Sequence, residues 1–329
     1  MPVENRCPQA RLNDHGPHPS TILPSPCRRP LESSTIRRSV ISPGPPDAEI
    51  CTKGREAVKT KTTAVKRRLS DNLKRIRERI ENACARTDRD PDSIQLVAVT
   101  KSVELDVIRQ ALDLGILDLG ESRAQQLNQR AGMIHEYMER KSVLSGSRND
   151  PRGGASSVRP RWHMIGHLQR NKVKLVIPWI ELIHSVDSLR LAEDLHDQAA
   201  KLGRVVDFLL QVNTSGEKSK YGVAVGAVSH LVEHFSEWPS IRLRGLMTMA
   251  PLETPPPEIH LYFDRLRDIF EDLRGQRLVG SEFNILSMGM SNDFELAIEA
   301  GATMIRIGEA LFDGLAKPAE DRTARVGSE

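Results

Sequence analysis

Eight short apolar, β-rich runs recur along the chain, separated by loops and by stretches of helical character. They cover residues 94–101, 118–121, 161–166, 182–187, 206–213, 242–249, 282–289 and 303–308. Alternating strands and helices build parallel sheets. Eight strands suit a closed barrel better than an open doubly wound sheet, whose usual strand number is lower. The sequence therefore predicts an α/β fold consisting of a single (β/α)8 TIM-type barrel.

An extra helix is predicted before the first strand, over residues 61–86. Its apolar side chains are spaced by three or four residues, which places them on one helical face. These side chains are Val65, Leu69, Leu73, Ile76, Ile80 and Ala83. We expect this stripe to pack against the barrel.

Three segments do not follow the repeat. Residues 1–60 are predicted to be a disordered extension, because half of the 20 prolines lie among the first 50 residues and no periodic apolar run occurs there. Residues 140–160 are rich in Gly, Ser and Arg and indicate a disordered insertion. Residues 316–329 form a polar tail. The predicted barrel domain is thus 61–315.

Composition argues against several classes of function. No 18-residue apolar stretch and no secretory signal is present, so we expect a soluble cytoplasmic protein without a membrane partner. A net charge of +3 and 4% aromatic residues argue against a nucleic-acid partner. The four cysteines form no C-x-x-C pair, and His163 and His167 lack further ligands nearby in the sequence, so no metal site is expected.

Lys101 is the first candidate for chemistry, because it ends an apolar strand. Strand parity places it on the same face as Val97 and Val99, directed into the barrel mouth. A partly desolvated lysine there is a competent Schiff-base nucleophile. A strand-terminal lysine is also compatible with an ordinary surface residue or ion-pair partner.

Two loops at the end of the predicted barrel suggest an anion site. In barrel enzymes the loops after strands seven and eight frequently hold a phosphate through backbone N–H groups. Ser287, Gly289, Ser291 and Gly308 occupy these loops. Each residue alone would also suit an ordinary turn or helix cap.

Arg306 lies in the last strand within an otherwise apolar segment. A buried arginine is costly unless it meets an acceptor. The acceptor could be an internal carboxylate such as Glu121 or Asp187, or a bound ligand. The residues themselves leave both alternatives open.

Seven ordered blocks carry a resemblance that covers about residues 65–315. They are A-V-T-K (98–101), L-G-E-S (119–122), W-H-M-I-G-H-L-Q-R-N-K (162–172), I-H-S-V-D-S (183–188), R-G-L-M-T-M (244–249), L-S-M-G-M-S-N-D (286–293) and I-R-I-G-E-A-L-F (305–312). In these blocks the chain resembles the pyridoxal phosphate homeostasis proteins, which are relatives of the alanine racemase N-terminal barrel.

The resemblance implies a role for each candidate residue toward pyridoxal 5′-phosphate (PLP). Lys101 would carry the cofactor as a Schiff base, the internal aldimine, and Asn213 would lie near the ring. The phosphate would be surrounded by Ser287, Gly289 and Gly308. Arg306 would face the pyridine nitrogen and, because a guanidinium does not give up its proton, would leave that nitrogen unprotonated.

The chain departs from the family pattern at three positions. Ser122 stands where Asn is frequent, and His167 stands where Pro is frequent. Glu309 replaces a frequent Thr, so a side-chain hydroxyl contact to the phosphate is not expected from that position. A backbone contact there is unaffected.

Three functions compete at this stage. The first is a non-catalytic PLP binder, expected to be monomeric, that buffers the cofactor or delivers it to PLP-requiring apo-enzymes. The second is a PLP-dependent amino-acid racemase. Because only about 20 residues follow the last predicted strand, we do not expect the second domain that the resemblance associates with such enzymes. The third is an aldolase whose lysine attacks a sugar phosphate without PLP.

Overall fold

The structure, a computed structural model, describes residues 48–144, 159–217, 219–251 and 254–316, with side chains from residue 62 onward except that of Leu144. Within these ranges it contains nine parallel strands. They are β1 (Gln95–Val99), β2 (Asp118–Glu121), β3 (Arg161–Met164), β4 (Ile180–Val186), β5 (Val206–Asn213), β6 (Val223–Ala224), β7 (Ile241–Met247), β8 (Ile285–Ser287) and β9 (Met304–Ile307).

Eight of these strands form a closed ring. Their order is β4-β3-β2-β1-β9-β8-β7-β5, and the pairing of β4 with β5 closes it. The predicted (β/α)8 TIM-type barrel is therefore confirmed. Strand β6 pairs with the carboxyl end of β5 outside the ring. It has only two residues, too few for an apolar pattern to predict it.

Helices cover the outside of the barrel. They are α1 (Ala48–Ala85), α2 (Leu105–Asp113), α3 (Ala124–Leu144), α4 (Val173–Val176), α5 (Leu189–Lys201), α6 (Val228–Phe235), α7 (Pro256–Gly275) and α8 (Phe294–Glu299). Among the described residues, none of these helices has the length and apolar character needed to cross a membrane.

The hydrophobic core has two layers, because side chains alternate across each strand. The larger layer lies between strands and helices. It takes, for example, Ile259, Phe263, Leu266 and Phe270 from one stripe of α7. The smaller layer fills the inside of the ring and consists of Val97, Leu182, Leu209, Met247 and Met304. The inward positions on either side of this inner layer are free to carry polar groups.

Helix α1 differs in length from the prediction but not in its face. Leu69, Leu73, Ile76, Ile80 and Ala83 are buried, so the predicted stripe is confirmed. The predicted start at residue 61 is wrong, since the helix begins at Ala48 within the segment expected to lack structure. The sequence allows this start because the last proline of the N-terminal segment is residue 46.

Ion pairs connect α1 to the last part of the barrel. Arg79 forms a bidentate pair with Glu295 of α8 at 2.8 and 3.0 Å, and Arg86 pairs with Glu299 at 2.6 Å. Asn72 Nδ2 donates to the carbonyl of Leu311 at 2.9 Å. The helix therefore supports the turn that follows β9.

The other irregular segments lie largely outside the described residues. Helix α3 continues to Leu144, so the predicted insertion begins later than residue 140. Residues 145–158 and 317–329, which include most of that insertion and the polar tail, are not described.

Candidate functional site

The six predicted site residues all lie toward the carboxyl ends of the barrel strands. Lys101 follows β1, Asn213 ends β5, Ser287 ends β8, Gly289 follows β8, Arg306 lies in β9, and Gly308 follows it. In β/α barrels this face carries the functional loops. The fold thus gathers residues separated by up to about 200 positions onto one end of the molecule.

Lys101 lies in the turn after β1 rather than in the strand. The strand ends at Val99, so alternation along it no longer determines where Lys101 points. The side chain is exposed, in contrast to the partial burial that was expected. An exposed amine at this end of the barrel is accessible to a ligand entering from solvent.

Arg130 of α3 holds the turn that carries Lys101 through hydrogen bonds to its backbone. Its Nη1 donates to the carbonyl of Thr100 at 2.5 Å, and its Nη2 donates to the carbonyl of Val103 at 2.7 Å. The two carbonyls flank Lys101 in sequence. Arg130 therefore fixes the backbone of the turn while leaving the lysine side chain free.

Glu121 completes this clamp. Its Oε1 accepts hydrogen bonds from Thr100 Oγ1 and Arg130 Nη1, each at 2.5 Å, whereas Oε2 has no partner among the described residues. Burial raises the pKa of Glu121, opposed by the charge of Arg130. Since the carboxylate faces α3, it belongs to the support of the turn.

Arg306 is buried inside the barrel, and within the described ranges no carboxylate is hydrogen-bonded to it. Its Nη1 donates to Ser287 Oγ at 2.6 Å, and its Nη2 donates to the carbonyl of Thr248 at 2.9 Å. Burial, opposed by the charge of Asp293, lowers the pKa of Arg306 to about 10, so the guanidinium remains charged at neutral pH. The alternative of an ion pair with Glu121 or Asp187 is wrong, because these residues pair with Arg130 and His167.

A chain of buried polar side chains continues from Arg306 through the barrel. Ser287 Oγ lies 3.0 Å from His184 Nδ1, His184 Nε2 lies 3.0 Å from His163 Nδ1, and His163 Nε2 lies 3.0 Å from Asp118 Oδ1. Asp118 is the first residue of β2, at the amino end of the ring. We call Arg306, Ser287, His184, His163 and Asp118 the polar relay.

Electrostatics within the polar relay favour a neutral His184 and a charged Asp118. Burial, followed by the proximity of His163 and Arg306, holds the pKa of His184 well below its ordinary value. Burial alone would raise the pKa of Asp118. Hydrogen bonds from Arg161 and His163 outweigh this effect and hold that pKa well below its ordinary range.

The two glycines are required by close approaches at the ends of β8 and β9. Gly289 has φ +92°, and a Cβ there would lie 2.7 Å from Ala297 Cβ. A Cβ on Gly308 would lie 3.0 Å from Val99 Cβ, two residues before Lys101. The glycines therefore bring the two loops against α8 and the β1 end respectively.

The loops after β8 and β9 also contact each other. The backbone N–H of Ala310 donates to Ser291 Oγ at 3.3 Å. Ala310 lies in the turn that begins at Gly308, and its backbone N–H already binds an oxygen from the neighbouring loop. A phosphate oxygen could take the same kind of hydrogen bond.

Asn213 uses its side chain to shape its own loop. Nδ2 donates to the carbonyl of Glu217 at 2.9 Å, and Oδ1 accepts from the backbone N–H of Gly216 at 3.0 Å. Ser287, similarly, directs its hydroxyl at Arg306 and His184. Both residues lie at the site, but their side chains are engaged with protein groups.

A histidine and an aspartate interact at the edge of the carboxyl end of the barrel. His167 Nδ1 lies 3.1 Å from Asp187 Oδ2, and the imidazole stacks on the exposed ring of Tyr221 with centroids 4.3 Å apart. The loops after β3, β4 and β5 supply these three residues. They form an ordered edge to the mouth of the barrel.

The sequence of the chain matches known proteins. The alanine racemase N-terminal domain family matches residues 68–315. The pyridoxal phosphate homeostasis protein of Aquifex aeolicus is 36% identical over 74% of this chain and 96% of its own length. The chain belongs to the pyridoxal phosphate homeostasis protein family.

Solved structures agree with membership of this family. A protein described as unknown from Bifidobacterium adolescentis is 33% identical, with a TM-score of 0.67, over 76% of this chain and 96% of that chain. PipY of Synechococcus elongatus, solved with PLP bound, is 30% identical with a TM-score of 0.57, over 71% of this chain and 99% of PipY.

The sequence analysis did not single out His184, Thr248, Arg130 or Asp118, which the structure connects to the predicted site residues or to their turns, and it considered His163 only as a metal ligand. For His184 a signal was present. It lies two residues after Leu182 in an apolar strand, so the two side chains share one face of the sheet. Arg130 gave no such signal, because its partners are the Glu121 carboxylate and two backbone carbonyls on other elements.

Proposed function

We propose that this chain binds PLP covalently through Lys101 and acts in PLP homeostasis as a buffer or carrier of the cofactor, without catalytic turnover. The observation that carries this proposal is the buried Arg306 guanidinium, to which no carboxylate of the described residues is hydrogen-bonded. Family membership and the PLP bound to PipY support the choice of cofactor.

The residues present fit this cofactor. PLP carries three groups that a protein can bind: an aldehyde, a pyridine nitrogen and a phosphate. An amine captures the aldehyde with loss of water. Lys101 offers an exposed amine on a clamped turn. Arg306 would donate to the pyridine nitrogen, and the loops of Gly289 and Gly308 would present backbone N–H groups to the phosphate.

The contacts of Ser287 and Asn213 refine their proposed roles. The Ser287 hydroxyl is engaged by Arg306 and His184, so we propose that it acts on the cofactor through Arg306. Asn213 would act by holding the loop beside the ring. PLP-requiring apo-enzymes as recipients, a monomeric state and a cytoplasmic location stay predictions.

Arg306 also bears on turnover. A guanidinium donates a hydrogen bond without transferring its proton, so a pyridine nitrogen beside it stays unprotonated and draws electrons weakly. This property disfavours reactions that depend on a protonated pyridine ring as the electron sink. It favours a carrier over chemistry that needs a strong electron sink.

The test is to mix the purified protein with PLP, reduce it with borohydride and locate the modified residue by mass spectrometry. We expect yellow colour before reduction and a pyridoxyl group on Lys101 afterwards. Lys101→Ala should abolish both, whereas Lys74→Ala, at an exposed lysine of α1, should change neither. Modification at another lysine would overturn the assignment.

Turnover is tested separately by incubating the loaded protein with L-alanine and other amino acids, followed by chiral analysis. We expect no product beyond one equivalent of protein. Multiple-turnover racemisation would replace the carrier proposal with the racemase alternative.

A further inference from the structure

The inward faces of β2, β3, β4, β8 and β9 carry the polar relay, which joins the two ends of the barrel. Its members are buried, and consecutive side chains are separated by 2.6–3.0 Å. Buried polar chains of this kind are costly unless every donor and acceptor is paired. The pairing therefore restricts where the hydrogens can lie.

The carboxylate of Asp118 can only accept, so its contact with His163 requires a hydrogen on His163 Nε2. With neutral rings, His163 Nδ1 then accepts from His184 Nε2–H, and His184 Nδ1 accepts from Ser287 Oγ–H. Ser287 Oγ in turn accepts from Arg306 Nη1. Every hydrogen in the chain then points from Arg306 toward Asp118.

The alternative is a doubly protonated His163, with His184 donating to Ser287. That arrangement places a second cation in the same barrel interior as Arg306, which burial disfavours. Ser287 would also receive two donors at once, and its own hydrogen would need another acceptor. The neutral arrangement satisfies all groups with the contacts observed.

We propose that Ser287, His184, His163 and Asp118 are positioning residues for Arg306, and that their one-way hydrogen bonds let the Asp118 carboxylate stabilise the guanidinium from the opposite end of the barrel. Each link polarises the next, so the charge of Asp118 acts on Arg306 in addition to the direct electrostatic influence of Asp293. The relay thereby leaves the outer face of the guanidinium for a ligand.

Asp118 is well placed for a remote test. It lines an open cleft of about 540 Å³ at the amino end of the barrel, together with Arg77 and Glu81 of α1. Arg161 donates to both of its carboxylate oxygens at 2.6 Å. Gln95 Nε2 also donates to Oδ1 at 2.9 Å. Among the contacts of Asp118, the one with His163 begins the hydrogen-bonded path to Arg306.

Asp207 offers a matched control. It lies near the amino end of β5, on the inward-facing parity of Leu209, and accepts from Arg242 at 2.7 and 3.0 Å and from Arg244 at 2.6 Å. It has no histidine among these partners. Asp207→Asn thus removes the same charge from the same end of the barrel without touching the relay.

The first measurement uses the ligand-free protein and long-range 1H–15N NMR of its histidine rings, assigned with His163→Gln and His184→Gln variants. We expect both rings to be neutral at pH 7 with hydrogen on Nε2. A charged His163, or hydrogen on Nδ1 of either ring, would overturn the one-way relay.

The second measurement is PLP affinity, and in this respect the inference rests on the proposed function. Asp118→Asn should bind PLP about threefold to tenfold more weakly, while Asp207→Asn should change affinity less than about twofold. In an Arg306→Ala background Asp118→Asn should have no further effect. Equal effects of the two Asp variants, or an undiminished effect without Arg306, would contradict the inference.

Ser287→Ala provides a second route if Asp118→Asn fails to fold. We expect about tenfold weaker PLP binding, restored in Ser287→Thr, which keeps the hydroxyl. No restoration would contradict a role for the hydroxyl. If the wild-type protein binds no PLP, the proposed function fails, while the NMR measurement still decides the relay.

Discussion

Arg306 and Lys101 divide the work of the site at the scale of single residues. Lys101 is exposed on a turn whose flanking carbonyls are held by Arg130, so its amine can react while its backbone stays in place. Arg306 is buried and immobilised by Ser287 and Thr248. One residue is suited to covalent capture and the other to a fixed charged contact.

Because the two residues have different proposed roles, loss of covalent PLP attachment and loss of PLP affinity should be separable by mutation. Arg306→Ala should keep the yellow colour and the borohydride-sensitive lysine but bind PLP about tenfold to hundredfold more weakly, because one charge-assisted hydrogen bond contributes about 1.5–3 kcal/mol. PLP titration followed by absorbance measures the affinity. Arg242→Ala, at the amino end of the barrel, serves as the control. Equal affinity of Arg306→Ala and the wild type would refute the pyridine contact.

Gly289 gives a second prediction at this scale. Gly289→Ala should lower the free energy of unfolding by about 1–3 kcal/mol, because φ is +92° and the new Cβ would meet α8. Gly226→Ala is the control, since its Cβ would meet nothing within 4 Å. Urea unfolding of the two variants makes the comparison. A Gly289→Ala protein as stable as Gly226→Ala would mean that the loop after β8 adapts easily.

At the scale of elements, α1 is part of the barrel's outer layer. Its apolar stripe is buried, and its arginines pair with α8. The fully buried residues of the stripe begin at Leu69. The part of α1 before this residue is therefore separable from the part that supports the turn after β9.

Two truncations test this view. Removal of residues 1–60 should leave thermal stability and PLP binding within error of the full chain, because the stripe remains. Removal of residues 1–85 should prevent folding, because it exposes the surface covered by five buried side chains. Circular dichroism melting and PLP titration distinguish the two. Unfolding of the shorter truncation would show that the first 60 residues carry stability.

Elements and residues were not equally predictable from the sequence. Strand periodicity identified all eight barrel strands, because it is a local pattern, and the apolar neighbours of Arg306 indicated its burial. The end of β1 was misplaced by two residues, and that error reversed the expected burial of Lys101. Partners of His184 and Arg130 could not be predicted, since Ser287 lies 103 positions from His184 and backbone carbonyls leave no mark in sequence.

At the scale of the whole molecule, the polar relay links acid stability to the barrel interior. The pKa of Asp118 is lower in the folded than in the unfolded chain, where it is about 4. The unfolded chain therefore binds the proton first, so this contribution is complete above about pH 4 and is lost as the pH falls. Asp118 thus contributes stability at neutral pH that acid removes.

Chemical unfolding between pH 6 and pH 3 tests this dependence. The free energy of unfolding should fall less steeply with acid in Asp118→Asn than in the wild type, because one carboxylate with a depressed pKa has been removed. The variant should also be less stable at pH 6. An identical slope in both proteins would show that Asp118 is no more easily ionised in the folded than in the unfolded chain.

The contact of α1 and β1 with the end of the barrel has a consequence during synthesis of the chain. Arg79 and Glu295 are 216 positions apart, and β1 pairs with β9. As the protein leaves the ribosome, the apolar stripe of α1 and one edge of β1 lack their partners until nearly the whole barrel has been translated. Throughout that interval the nascent chain displays surfaces that molecular chaperones bind, so its yield in the cell should depend on their supply.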